Sequence, residues 1–218
     1  QSSAASDVYK RQYTFIAAIA GVLLVGAMSP GPSFLVVAQN ALSKSRAHGV
    51  VTALGTGLGV AIFAVLASFG VTALIETVPS AYLVFKILGG AYLLYLAVRI
   101  WRGASEPLVT EVPAGEKQST LFQSFMLGLV TQTSNPKTAL VIAGIFAAFV
   151  PSEPPQHTTA LVAVIAFIID FSWYALVAIS LSLPKSRGVY QRAKAGFDRT
   201  AALFLGAVGV KLLLSRLD

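Results

Sequence analysis

Met28-Ser29-Pro30-Gly31-Pro32 cuts into an apolar run that would otherwise read as one continuous helix, and Ser134-Asn135-Pro136-Lys137 does the same about a hundred residues later. Proline lacks the amide hydrogen that a helix interior needs, and its ring clashes with the preceding turn, so both helices must break. Pro30 and Pro32 leave the carbonyls of Gly26 and Met28 without their usual partners, and Pro136 does so for Gln132. In hydrocarbon a freed carbonyl is tolerated only where protein or water satisfies it, and irregular backbone at that depth lines a cavity. One break alone reads as a kink. A matched pair reads as two walls of one site.

Composition places that site in a membrane. Of 218 residues, 56% are hydrophobic and 11% charged, and the mean hydropathy is +0.74. Several windows longer than the roughly 20 residues needed to cross a bilayer are almost free of charge. Runs of that length, rather than short alternating segments, argue against a membrane β-barrel. The pI of about 9.8 does not indicate nucleic acid, because the basic residues fall in short connections between apolar runs. With no cysteine, neither a disulfide nor a thiol relay is available.

The fold class expected is an all-α membrane protein of six transmembrane helices, arranged as two inverted three-helix repeats with broken first and fourth helices. Residues 1–12 read as a disordered tail or tag remnant. Residues 13–101 form the first repeat, 102–119 a cytoplasmic linker and 120–218 the second repeat. The spans fall at about 13–42, 49–75, 80–100, 120–150, 158–183 and 200–217. Pro32 and Pro136 suit the first position of a restarted helix, with Asn135 as the cap of the second. Gly55 and Gly59 form a small-xxx-small pair for close helix packing. The run Gly55-Thr56-Gly57-Leu58-Gly59 is not a dinucleotide loop, since no strand precedes it and the spacing is incomplete. Lys86 reads as a side chain snorkelling from near the end of the third span, and Lys185 to Arg199 as a basic connection.

Lys44, Arg46, Arg99, Arg102, Lys117 and the basic cluster from Lys185 to Arg199 follow spans one, three and five, while the turns after spans two and four hold no lysine or arginine. The positive-inside rule then makes those three connections cytoplasmic and both termini periplasmic. An odd number of spans per half forces opposite orientations on the halves. In inverted repeats the half-helix N-termini face the midplane, where their partial positive charge favours an anionic group. Lys137 stands beside one such end, and Asp170 is the other charge deep in an apolar run. Charges at that depth are functional candidates. The two read either as an ion pair or as Asp170 acting alone. Trp173 and Tyr174, three and four residues on, share its helix face.

Ser29-Pro30-Gly31-Pro32, the glycine-rich second span, Gly89-Gly90-Ala91-Tyr92-Leu93, Asn135-Pro136-Lys137 and Asp170 with Trp173 together resemble the lysine-exporter (LysE/RhtB) family of amino-acid efflux proteins. The resemblance covers about Phe15 to the C-terminus. It implies export of amino acids or their relatives across the bacterial inner membrane, driven by the proton gradient. Two positions depart from the family pattern. Ser33 stands where asparagine is usual, and Ala147-Ala148 where Pro-Gln would be.

The expected activity is that of a secondary exporter of a small zwitterion, not an enzyme. Pro30, Gly31, Pro32, Pro136 and Lys137 would hold its carboxylate at the two breaks. Ser33, Gln39, Asn40, Gln132 and Asn135 would supply neutral hydrogen bonds, and Tyr92, Trp173 and Tyr174 would shape a side-chain pocket. Asp170 would meet the ammonium or carry the coupling proton. The alternative is a cation exporter with Asp170 and freed carbonyls as oxygen ligands. One carboxylate is a poor cage, however, and Lys137 would repel the ion. A membrane enzyme or electron relay would need a metal-spaced histidine pair, whereas His48 and His157 both fall in connections. No cofactor and no metal is expected. The partners are an amino acid and the lipid bilayer, with a homodimer allowed and nucleic acid excluded.

Overall fold

The prolines break the helices where the sequence predicts. The computed structural model describes residues 16–77, 79–105, 119–149, 157–182 and 184–214, and every regular element among them is helical. Helix α1 (Ile16–Met28) stops just before Pro30, and α2 (Pro32–Ser43) restarts at an angle of 55°. Gly31 is the N-cap of α2 in an extended conformation, and Pro32 opens the helix, where a missing amide hydrogen costs nothing. The second break has the same form: α5 (Leu121–Thr133) ends at Ser134 and α6 (Pro136–Phe149) begins at Pro136. The start of α5 is held by a capping box. Thr120 Oγ1 accepts from the Gln123 amide at 3.2 Å, and the Gln123 side chain accepts from the Thr120 amide at 2.9 Å.

The remaining elements are α3 (Arg46–Thr77), α4 (Pro79–Gly103), α7 (Thr158–Leu181) and α8 (Pro184–Leu214). Among the described residues, Arg46–Gly70 within α3 and Thr158–Leu181 are each long and apolar enough to cross a membrane, and the bent pair α1 and α2 makes a third span if counted as one. The expected basic connection of Lys185 to Arg199 is instead the first half of α8, which begins at Pro184 rather than near Thr200. Its Lys194 and Asp198, four apart and so on one face, form an ion pair at 2.8 Å. Lys86 does not snorkel. It lies two turns inside α4 and is only 3% exposed. His48 is likewise not in a connection but in the first turn of α3, with ring contacts to Ser45 Oγ and Ser119 O, both at 2.8 Å.

Helix α3 packs on α5 and α7, and α4 packs on α8. The glycines explain how closely α3 and α5 approach. A Cβ at Gly55 would lie 2.2 Å from Phe125 O, one at Gly59 would lie 2.7 Å from Gln132 Cβ, and one at Gly128 would lie 2.1 Å from Thr52 O. At Gly55 and Gly128 a side chain would run into backbone, and at Gly59 into the Gln132 side chain, so small residues are required at this crossing. It brings Gln132, at the end of α5, against α3. Two apolar clusters flank the breaks, one around Ile19, Leu93, Ile142, Phe146 and Leu205, the other around Phe34, Val37, Tyr174 and Val177.

Candidate functional site

Of the two carbonyls that Pro30 and Pro32 free, Lys137 takes that of Gly26, and it adds that of Ser29 in the break itself. Its Nζ donates to Ser29 O at 3.0 Å and to Gly26 O at 3.4 Å. An ammonium at the carbonyl end of α1 satisfies acceptors that the helix cannot, and opposes the negative end of its dipole. One side chain from the second break thus seals the first. Lys137 itself is placed by Asn135, whose Oδ1 accepts from the Lys137 backbone amide at 3.1 Å. That is the N-cap role expected of Asn135 ahead of Pro136.

Lys137 and Asp170 do not pair. Asp170, 6% exposed, receives a hydrogen bond at Oδ2 from Gln132 Nε2 at 3.2 Å and has the Thr56 hydroxyl beside it, while its Oδ1 has no close hydrogen-bond partner among the described residues. The ion-pair alternative fails because the ammonium is already committed to the backbone carbonyls of Gly26, in α1, and Ser29, just past its end. Asp170 is the end of a chain of neutral groups instead. Ser33 Oγ donates to Gln132 Oε1, and Asn135 Nδ2 donates to Ser33 Oγ at 3.2 Å. Each amide uses its oxygen and nitrogen in opposite directions, so the chain has one polarity from α7 through α5 and α2 to the cap of α6.

Two cavities meet at Lys137. The inner one, about 40 Å³, is lined by Gly31, Gln132, Asn135, Lys137, Asp170 and Tyr174 among others. That is room for a few water molecules. The outer one, about 510 Å³, is lined by Pro30, Gly31, Pro32, Tyr92, Asn135, Pro136 and Lys137, and reaches Arg99 and Gly103 on α4 and Lys194 and Asp198 on α8. Its volume lies within the range of about 300–1,000 Å³ typical of small-molecule sites. Gly31, Asn135 and Lys137 belong to both cavities and form the partition between them.

Ten of the expected site residues therefore line one cavity or the other, whereas Ser33, Gln39, Asn40 and Trp173 line neither. Ser33 joins the breaks from behind, through Gln132 and Asn135. Asn40 Nδ2 donates to Thr52 Oγ1 at 2.8 Å and ties α2 to α3. Trp173 lies edge-on to Phe197, ring centroids 5.7 Å apart, and ties α7 to α8. The outer wall of Arg99, Lys194 and Asp198 escaped the sequence reading, which took the basic residues as topology signals alone. The four-residue spacing of Lys194 and Asp198 was the available sign.

A family model described as LysE type translocator matches residues 24–216. The threonine efflux protein of Escherichia coli (strain K12) is 32% identical over 201 residues, 91% of this chain and 97% of the relative. The threonine efflux protein of Salmonella typhi is 31% identical over the same shares. The uncharacterized membrane protein YahN of Escherichia coli (strain K12) is 28% identical over 193 residues, 88% of this chain and 86% of the relative. No solved structure matches.

Proposed function

The chain belongs to the LysE type translocator family, and from that premise we propose that it exports a small zwitterionic amino acid of the threonine kind from the cytoplasm, in exchange for protons. It is a bacterial membrane translocator and not an enzyme. The position of Lys137 carries the reading: it bridges both helix breaks and stands between a cavity of ligand size and one holding a buried carboxylate. A substrate carboxylate in the outer cavity would compete with the Gly26 and Ser29 carbonyls for the ammonium. Drawing the ammonium away opens the partition, and Asp170 then meets the substrate ammonium or exchanges the coupling proton.

The fold that goes with this function has six spans, α1 with α2, α3, α4, α5 with α6, α7 and α8, in two inverted repeats over residues 13–101 and 120–218. Its support is that the second helices of the triplets, α3 and α7, pack on each other, as do the third, α4 and α8. The basic residues after the first and third spans, with those in the first half of α8, would orient it in an inner membrane with cytoplasmic linker and periplasmic termini. Cation export is disfavoured, because Lys137 occupies the carbonyls a cation would need.

Inside-out vesicles test the proposal. With an acidic interior they should accumulate labelled threonine or a close neutral relative, and accumulation should collapse when a protonophore removes the gradient. Single cysteines at Ser45 and Gly103 should react with an impermeant thiol reagent in these vesicles and resist it in intact cells. Absence of gradient-dependent uptake across a panel of amino acids would refute the function, and labelling from outside intact cells would refute the orientation.

A further inference from the structure

The α4–α8 wall of the outer cavity has no task in the export cycle so far described. Lys194 Nζ donates to Asp198 Oδ2 at 2.8 Å and to Gly103 O at 3.1 Å, which pins α8 to the last turn of α4. Asp198 is only 4% exposed, and its Oδ1 has no hydrogen-bond partner among the described residues. A carboxylate accepts at both oxygens, so a buried one with half its capacity unused, on the wall of a ligand-sized cavity, calls for a donor from a ligand. Arg99, exposed on α4, lines the same cavity. Its guanidinium offers a fixed fork of donors suited to a carboxylate. Neither residue reaches the inner cavity.

We infer that the α4–α8 wall is a loading site for the free zwitterion, where Asp198 Oδ1 accepts from the substrate ammonium and Arg99 donates to its carboxylate before the substrate reaches Lys137. The inference rests on the export reading. It adds a second recognition of both charged ends on the α4–α8 wall, within electrostatic reach of Lys137 at the second break. Lys194 has a different part, holding the carboxylate in place through its other oxygen.

Initial rates of labelled threonine uptake into inside-out vesicles test it, with 3-hydroxybutyrate, which lacks the amine, as competitor. Asp198→Asn should raise the half-saturating threonine concentration about tenfold with little change in maximal rate, since the contact removed is a charged one outside the translocation step. The preference for threonine over 3-hydroxybutyrate should shrink by the same factor. Arg99→Gln, at an exposed position that does not endanger folding, should also raise the half-saturating concentration, but it should leave that preference intact because both compounds carry the carboxylate. An unchanged half-saturating concentration in either variant overturns the loading site. So does an Asp198→Asn variant whose threonine preference is unchanged, because Asp198 would then serve only to hold Lys194. No uptake by the unaltered protein would overturn the export reading, and the loading site with it.

Discussion

Lys137→Met is expected to stop export while leaving the protein in the membrane. Methionine keeps most of the side-chain volume and removes the charge, so three things are lost together: the bond to Ser29 O, the bond to Gly26 O and the group that would meet the substrate carboxylate. Leaving a buried carbonyl unsatisfied costs about 1–3 kcal/mol, which should lower abundance without abolishing it. Removing one partner of a desolvated charged contact costs a few kcal/mol, on the order of a hundredfold in affinity. Transport per molecule should therefore fall far more than the amount of protein. Immunoblot abundance and vesicle uptake, measured on the same preparation, separate the two. A fully expressed Lys137→Met that exports normally would show that the lysine only caps α1.

Asp170→Asn is expected to uncouple transport from the gradient. The carboxylate is bonded to the neutral amide of Gln132 rather than to Lys137, so the substitution strands no buried ammonium. Asparagine Oδ1 can still accept from Gln132 Nε2, and abundance should hold. What disappears is the ability to change charge within the cycle. Vesicles carrying the variant should exchange internal for external threonine and fail to accumulate it against a gradient. Uphill accumulation by Asp170→Asn would remove Asp170 from the coupling step.

The breaks were legible because proline acts locally: its ring and missing amide hydrogen stop a helix whatever surrounds it. The cap at Asn135 and the close crossing at Gly55 and Gly59 were legible for the same reason, a short motif with a short-range cause. The partner of Lys137 was not. Asp170 and the carbonyls of Gly26 and Ser29 all lie far along the chain from it, and only the packing of α1 against α6 decides between them. Helix phase explains which polar residues miss the cavities. Ser33 and Asn40, seven apart, share one face of α2, and that face is turned to α5 and α3. Proximity to a break in sequence could not reveal this. The burial of Lys194 and Asp198 was hidden by the basic residues around them, which made the first half of α8 look like a solvated connection.

Threonine protection of cysteines placed at the two breaks tests most directly whether they form one substrate site. The chain has no native cysteine. Gly31 can take the change, because an added Cβ would meet only Lys137 Cδ and Nζ, each at an ordinary 3.7 Å. Pro136 is exposed at the first position of α6, where any amide hydrogen is free of the helix ladder. In purified Gly31→Cys and Pro136→Cys proteins, saturating threonine should slow maleimide alkylation at both positions severalfold. Alkylation that proceeds at the same rate with and without threonine at both positions, in protein that still transports it, would contradict a shared site at the breaks.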